Sequence, residues 1–258
     1  MNARVLEISK LLVKEILRKK DFYVALVLTA LILFYAAQLR FFGVTSASRY
    51  LIDLGLVLGF FFGVFLTVSL AARQFPNEVR EKTFHVLMAH PVSRTEYLLG
   101  KFFGVWFSGA LVSLVFFGAL VVVTLTKASS FEGLLAFQTY FVFVLGLGVL
   151  TAFTIVLSLV LTPASAVSIV VSFYGLMNLY GFYWSRSAAP LPLVSKWFSL
   201  ALCYTVPHLE FFDMRERFVH VWPPLSPGLL LFLRVYAAGY SALFLLVGRF
   251  LLSKKSIS

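Results

Sequence analysis

The side chains best equipped for chemistry cluster between Arg73 and Lys101, where Glu78, Glu81, Lys82, His85, His90, Arg94 and Glu96 follow one another closely. Imidazoles beside carboxylates suggest acid–base or metal chemistry first. The spacing argues against both. His85 and His90 stand five apart, and no His-Glu-x-x-His occurs, the pattern that sets two imidazoles on one helix face around a metal. Gly100-Lys101 is followed by Phe102 and lacks the upstream glycine of a phosphate-cradling loop. Asp53, at the edge of an apolar run, has no second carboxylate near it in sequence. It reads either as a functional intramembrane acid or as a hydrated edge residue. Lys101 reads as a snorkelling cation or, alternatively, as a substrate contact. The single cysteine, Cys203, excludes a disulfide framework and a multi-cysteine metal site and serves most simply as a small apolar filler. With no nucleophile, acid–base pair or metal set, the chain is not expected to be an enzyme or to bind a cofactor of its own.

The elements that must carry these residues follow from composition. Of 258 residues, 60% are hydrophobic and 13% charged, and the mean hydropathy is +0.93. A water-soluble fold is nearer 45–50% apolar and about 25% charged, so the bilayer is the solvent for most of the chain. The net charge of +11 would suggest nucleic acid in a soluble protein. Here the cations sit in short stretches between apolar runs, the pattern that orients a helical membrane protein, and no nucleic-acid partner is expected. Six stretches approach the ~20 residues a spanning helix needs: Phe22–Gln38, Leu54–Ala72, Phe102–Leu125, Leu134–Leu161, Ala164–Trp184 and Val235–Leu252. None alternates with period 2, so a β-barrel is excluded. The expectation is an all-α polytopic membrane protein, one transmembrane domain over residues 1–258. Its first 20 residues are too charged for a cleaved signal peptide.

With the N-terminus in the cytoplasm, fourteen Lys and Arg fall on inside segments and eight on outside ones, which favours six spans and both termini inside. Leu191–Val206 competes as a seventh span. It would place Lys254 and Lys255 outside, contains Lys196 and is bounded by Pro190, Pro192 and Pro207, so it reads as an interfacial or re-entrant helix.

Outside the spans, residues 4–20 form an amphipathic helix, with Val5, Leu6, Ile8, Leu12, Val13, Ile16 and Leu17 on one arc. Such a helix lies along the cytoplasmic surface among lipid phosphates; the plainer alternative is an ordinary cytoplasmic start to the first span. In the loop over 73–97, Asn77 after Pro76 reads as an N-cap, Glu78 and Glu81 sit in the first turns, and Pro91 ends the helix. Glu78, Glu81, Lys82 and His85 share one arc, with Val79, Thr83, Val86 and Leu87 opposite. A short helix with a charged cytoplasmic face suits a soluble partner that pushes on it, and an ordinary connecting loop fits the spacing equally well. Ser93-Arg-Thr-Glu96 is a capping box opening the third span. Pro163 forces a tight hairpin between spans four and five. The proline-punctuated stretch 185–227 reads as a structured external cap, because Trp197, Phe198, Phe211, Phe212 and Trp222 favour burial. Gly100-x-x-x-Gly104 is a weak helix-packing pattern.

This order of elements resembles the permease of ABC-2-type ABC transporters. Most of the likeness is carried by Glu81-Lys-Thr-Phe-His-Val-Leu-Met-Ala-His-Pro-Val-Ser-Arg94 with Glu96-Tyr-Leu-Leu-Gly-Lys101, similar to that family's Glu-x-Gly-Thr…Leu-Leu…Pro-Val-Ser-Arg…Gly-Lys. Lys82 departs from the small residue usual there. Pro207-His-Leu-Glu-Phe-Phe-Asp213 is similar to the outer segment of the subgroup containing the nitrous-oxide-reductase maturation permease. The resemblance implies the ABC-2 permease fold in the cytoplasmic (inner) membrane, most often in an exporter. It also implies a second permease, identical or related, and two copies of an ABC ATPase that bind ATP and Mg. The coupling contact would fall on Asn77, Glu78, Arg80, Glu81, Lys82, Thr83, His85, Arg94 and Glu96. A non-transporting anchor for an ATPase and a membrane-embedded lipid-modifying enzyme are the alternatives.

Overall fold

A computed structural model of the chain describes residues 3–17, 47–80, 93–127, 131–186 and 207–254, with Tyr23, Val24, Val27 and Leu31. Apart from those four positions, the span expected at Phe22–Gln38 lies outside the described residues, as does Leu191–Val206. The elements in chain order are α1 (Ala3–Leu17), α2 (Ala47–Arg80), α3 (Arg94–Lys127), α4 (Gly133–Ser158), α5 (Pro163–Arg186), a 3-10 turn (Leu209–Phe212), α6 (Arg215–Val219) and α7 (Pro227–Lys254). Among the described residues there is no strand. Ile52–Asn77, Arg94–Val122, Gly133–Ser158 and Pro227–Lys254 are long and apolar enough to cross a membrane, and Pro163–Asn178 is a shorter apolar helix.

α2 and α3 contain 34 residues each. At ~1.5 Å per residue they are about 50 Å long, against a hydrocarbon core of roughly 30 Å. The expected spans are their apolar middles. An established helix extends into polar sequence because each added residue gains a backbone hydrogen bond, so hydropathy misses the true ends. One reading is corrected here. Asn77 caps no separate helix, because α2 runs through Pro76 to Arg80. The proline removes one backbone donor, but the helix is already long and continues past it to Arg80.

α4 occupies the centre. Of its most apolar window 72% is buried, against 17% for α7, as expected of a helix apolar all the way round. Phe143 stacks on Phe60 of α2 at 4.0 Å, and Val142, Leu147 and Leu150 are almost fully covered. In lipid such contacts stabilise by dispersion and fit more than by the hydrophobic effect, so close backbone approach matters. α2 and α3 approach closely at Gly109, where an added Cβ would collide with Thr67 Oγ1 and lie 2.6 Å from Thr67 Cγ2. The buried hydroxyls of α4 are satisfied within the helix: Thr139, Thr151 and Thr154 donate to the carbonyls of Leu135, Leu147 and Leu150.

α1 docks on the start of α3. Ser9 Oγ lies 3.1 Å from the Gly100 carbonyl, and Val5 is buried while Leu6 and Leu11 are exposed. Among the described side chains the packed face includes Val5 and Ser9, four residues apart, and Leu6 of the expected arc is exposed. Between α4 and α5 the chain turns in four residues, 159–162. Thr162 accepts from the Ala166 amide through its carbonyl and shares a 2.9 Å hydroxyl contact with Ser165, with Pro163 in the first turn, where its missing N–H costs nothing.

Candidate functional site

At one end of the bundle α2 stops, α3 starts and α7 stops. The capping box of α3 is made: the Ser93 amide donates to Glu96 Oε2 at 2.9 Å, and the Glu96 amide donates to Ser93 Oγ at 3.2 Å. The carboxylate thus lies at the positive end of the helix. Arg94 Nη1 donates to the Leu252 carbonyl at 3.0 Å, joining this start to the last turn of α7. Asn77 is half-buried and Arg80 exposed at the end of α2, and Glu78 lies between them in the same helix. Glu81, Lys82, Thr83 and His85, together with His90, lie outside the described residues.

One turn deeper, Lys101 does not snorkel. It is 8% exposed, with Nζ donating to Gln74 Oε1 at 3.1 Å and the Tyr97 ring 5.8 Å away. A cation in an apolar interface is held by acceptors placed there, and Gln74, also buried, supplies one from α2. Gln74 stands just past the apolar run, next to Arg73, so the residues around it give no sign that it faces α3 rather than water.

At the opposite end, residues 207–226 fold back against α2, α4 and α5. Arg215 Nε donates to Asp213 Oδ1 and Oδ2 at 2.8 and 2.9 Å. Burial works against the Arg215 charge, yet the hydrogen bonds and charge of Asp213, helped by Tyr174 and Asp53, raise its pKa above the ordinary value. Asp53 therefore has a cation in its field, which its own stretch of sequence did not reveal. Phe212 is buried on α4, where a Cβ at Gly146 would come within 2.9 Å of Phe212 Cβ. Gln138 clasps the Leu225 backbone, donating to its carbonyl at 3.2 Å and accepting from its amide at 2.7 Å. Tyr236 Oη accepts from the His208 amide at 2.8 Å. Phe211 and Trp222 stay exposed, unlike the burial expected of them. The Trp222 ring lies under the Arg217 guanidinium at 5.8 Å instead. Trp197 and Phe198 lie outside the described residues.

Between α3 and α7 runs a groove of about 480 Å³, with Thr95 and Arg249 near one end and Arg234 towards the other. Arg234 rests over the Phe141 ring at 4.8 Å. Among the described residues no group of three His, Cys, Asp or Glu side chains is placed to hold a metal ion.

The geometry is that of a multi-pass helical membrane protein with polar contacts concentrated at its two ends. No curated protein matches the chain in sequence. The sequence profile of the ABC-2 family transporter protein matches residues 6–251, nearly the whole length, and the chain belongs to that family of membrane transport components.

Proposed function

We propose that this chain is the membrane-spanning permease of an ATP-driven exporter, working as a pair with a second permease copy and two copies of a separate ATPase subunit that carry ATP and Mg. The ATPase docks at the Arg94 end, on residues 77–96, in the cytoplasm. Both termini lie on that side, residues 185–227 lie outside, and the membrane is the cytoplasmic one. The observation that carries this reading is the continuity of α2 to Arg80 and the capped start of α3 at Ser93. A push on the short connection 81–92 passes directly into two rods, which Gln74–Lys101 and Arg94–Leu252 link to each other and to α7. Tilting these rods changes access between the two faces of the membrane. The likeness of Pro207–Asp213 to the outer segment of the nitrous-oxide-reductase maturation permeases supports placing the chain in that subgroup.

The test is co-purification of the ATPase with Glu78→Lys/Glu81→Lys, with transport and hydrolysis measured in liposomes. Exposed ion pairs are worth about 0–1 kcal/mol each, so the single reversals weaken docking mildly and the double reversal lowers both retention and transport. A double variant that binds and transports like the parent sinks the docking site. A complex that hydrolyses ATP with no response to any substrate favours an anchor instead.

A further inference from the structure

The groove between α3 and α7 is built for an amphiphile with one charged end. Its walls are apolar, Leu98, Phe102 and Trp106 on one side and Ala238, Ala242 and Leu245 on the other, and among the described residues no acidic side chain lines it. Its volume of about 480 Å³ falls in the roughly 300–1,000 Å³ range of small-molecule sites. Arg234 and Arg249, fifteen positions apart on α7, are separated by about 22 Å along the helix axis. The two ends differ. Arg234 is occupied by the Phe141 face. Arg249 is exposed, next to Thr95 in the lining, and shares its end of the bundle with Arg94 and Lys254. The nearby carboxylate, Glu96, is engaged by Ser93.

We infer that this groove binds one anionic phospholipid, with its phosphate on Arg249 and an acyl chain laid along the apolar wall towards Trp106. Guanidinium pairs with phosphate through parallel charge-assisted hydrogen bonds, and the cationic end complements an anion. A second copy of this chain, itself at +11 net charge, would set cation against cation there. The phosphate end of the groove borders the docking region proposed above, since Thr95 belongs to both, but lipid retention is read on the chain without an ATPase.

The experiment is native mass spectrometry of the delipidated full chain after incubation with vesicles of phosphatidylglycerol or of phosphatidylcholine. The parent retains phosphatidylglycerol in preference to phosphatidylcholine. Arg249→Gln lowers that preference about tenfold, the effect of losing one hydrogen bond to a charged group, and Arg249→Lys recovers part of it. Ala238→Trp/Ala242→Trp, which fills the groove, loses the retained lipid while Arg249 is intact. Equal retention of the two lipids by the parent, an unchanged preference in Arg249→Gln, or no lipid on the parent at all overturns the proposal; in the last case protein covers the groove. Because Arg249 is exposed, its variants keep the test valid even if the tryptophan pair fails to fold.

Discussion

Arg94 and Leu252 stand 158 positions apart in sequence and 3.0 Å apart in space. The guanidinium at the first residue of α3 satisfies one of the last carbonyls of α7, which have no partner within their own helix. Arg94→Gln is expected to cost about 1.5 kcal/mol, the low end for a hydrogen bond from a charged donor. Amide exchange in the last turn of α7 should quicken while that in α4 stays unchanged.

Thr67 and Gly109 set how closely α2 and α3 approach. Gly109→Ala forces a methyl against Thr67 Oγ1 and, at 2.6 Å, Thr67 Cγ2, an overpacking cost of about 1–3 kcal/mol. Adding Thr67→Ala removes both atoms but leaves Cβ at 3.0 Å, so the double variant should recover part of the loss. Thermal unfolding in detergent reads both. Full stability of Gly109→Ala alone would show that the helices have room to separate.

Gln138 holds residues 207–226 through the Leu225 backbone. Gln138→Leu leaves an amide and a carbonyl unmatched, at about 1–3 kcal/mol. Gln138→Glu keeps the acceptor for the Leu225 amide and should cost less. Limited proteolysis near Trp222 should follow the same order: Leu fastest, Glu intermediate, parent slowest.

The Lys101–Gln74 pair should show coupling. Gln74→Leu withdraws an acceptor from a buried cation, and Gln74→Leu/Lys101→Met removes the cation as well. The double variant is expected to be at least as stable as Gln74→Leu alone, since two apolar groups of similar shape can replace a buried polar pair almost neutrally. Chemical unfolding of the four species in a double-mutant cycle measures this, and strict additivity would mean the hydrogen bond contributes nothing.

What was legible in the sequence was local or continuous. The cores of α2, α3, α4, α5 and α7 stand out because a spanning helix needs an unbroken apolar run, and the Ser93–Glu96 capping box is contained in four residues. Lys101 was misread because its partner, Gln74, is 27 positions away on another helix. The field of Arg215 on Asp53 and the grip of Gln138 on Leu225 are likewise long-range. Asn77 was misplaced because Pro76 normally marks a boundary, and here a 34-residue helix continues past it. The charged arc from Glu81 to His85 lies outside the described residues, so its reading rests on sequence and family alone.

The hydroxyls of Thr139, Thr151 and Thr154 turn inward on their own helix, each occupied by a carbonyl one turn back. To a water-loving cargo the middle of this bundle is therefore a wall without rungs. A molecule carrying its hydration shell would have to give up that shell along α4 and find nothing there in exchange.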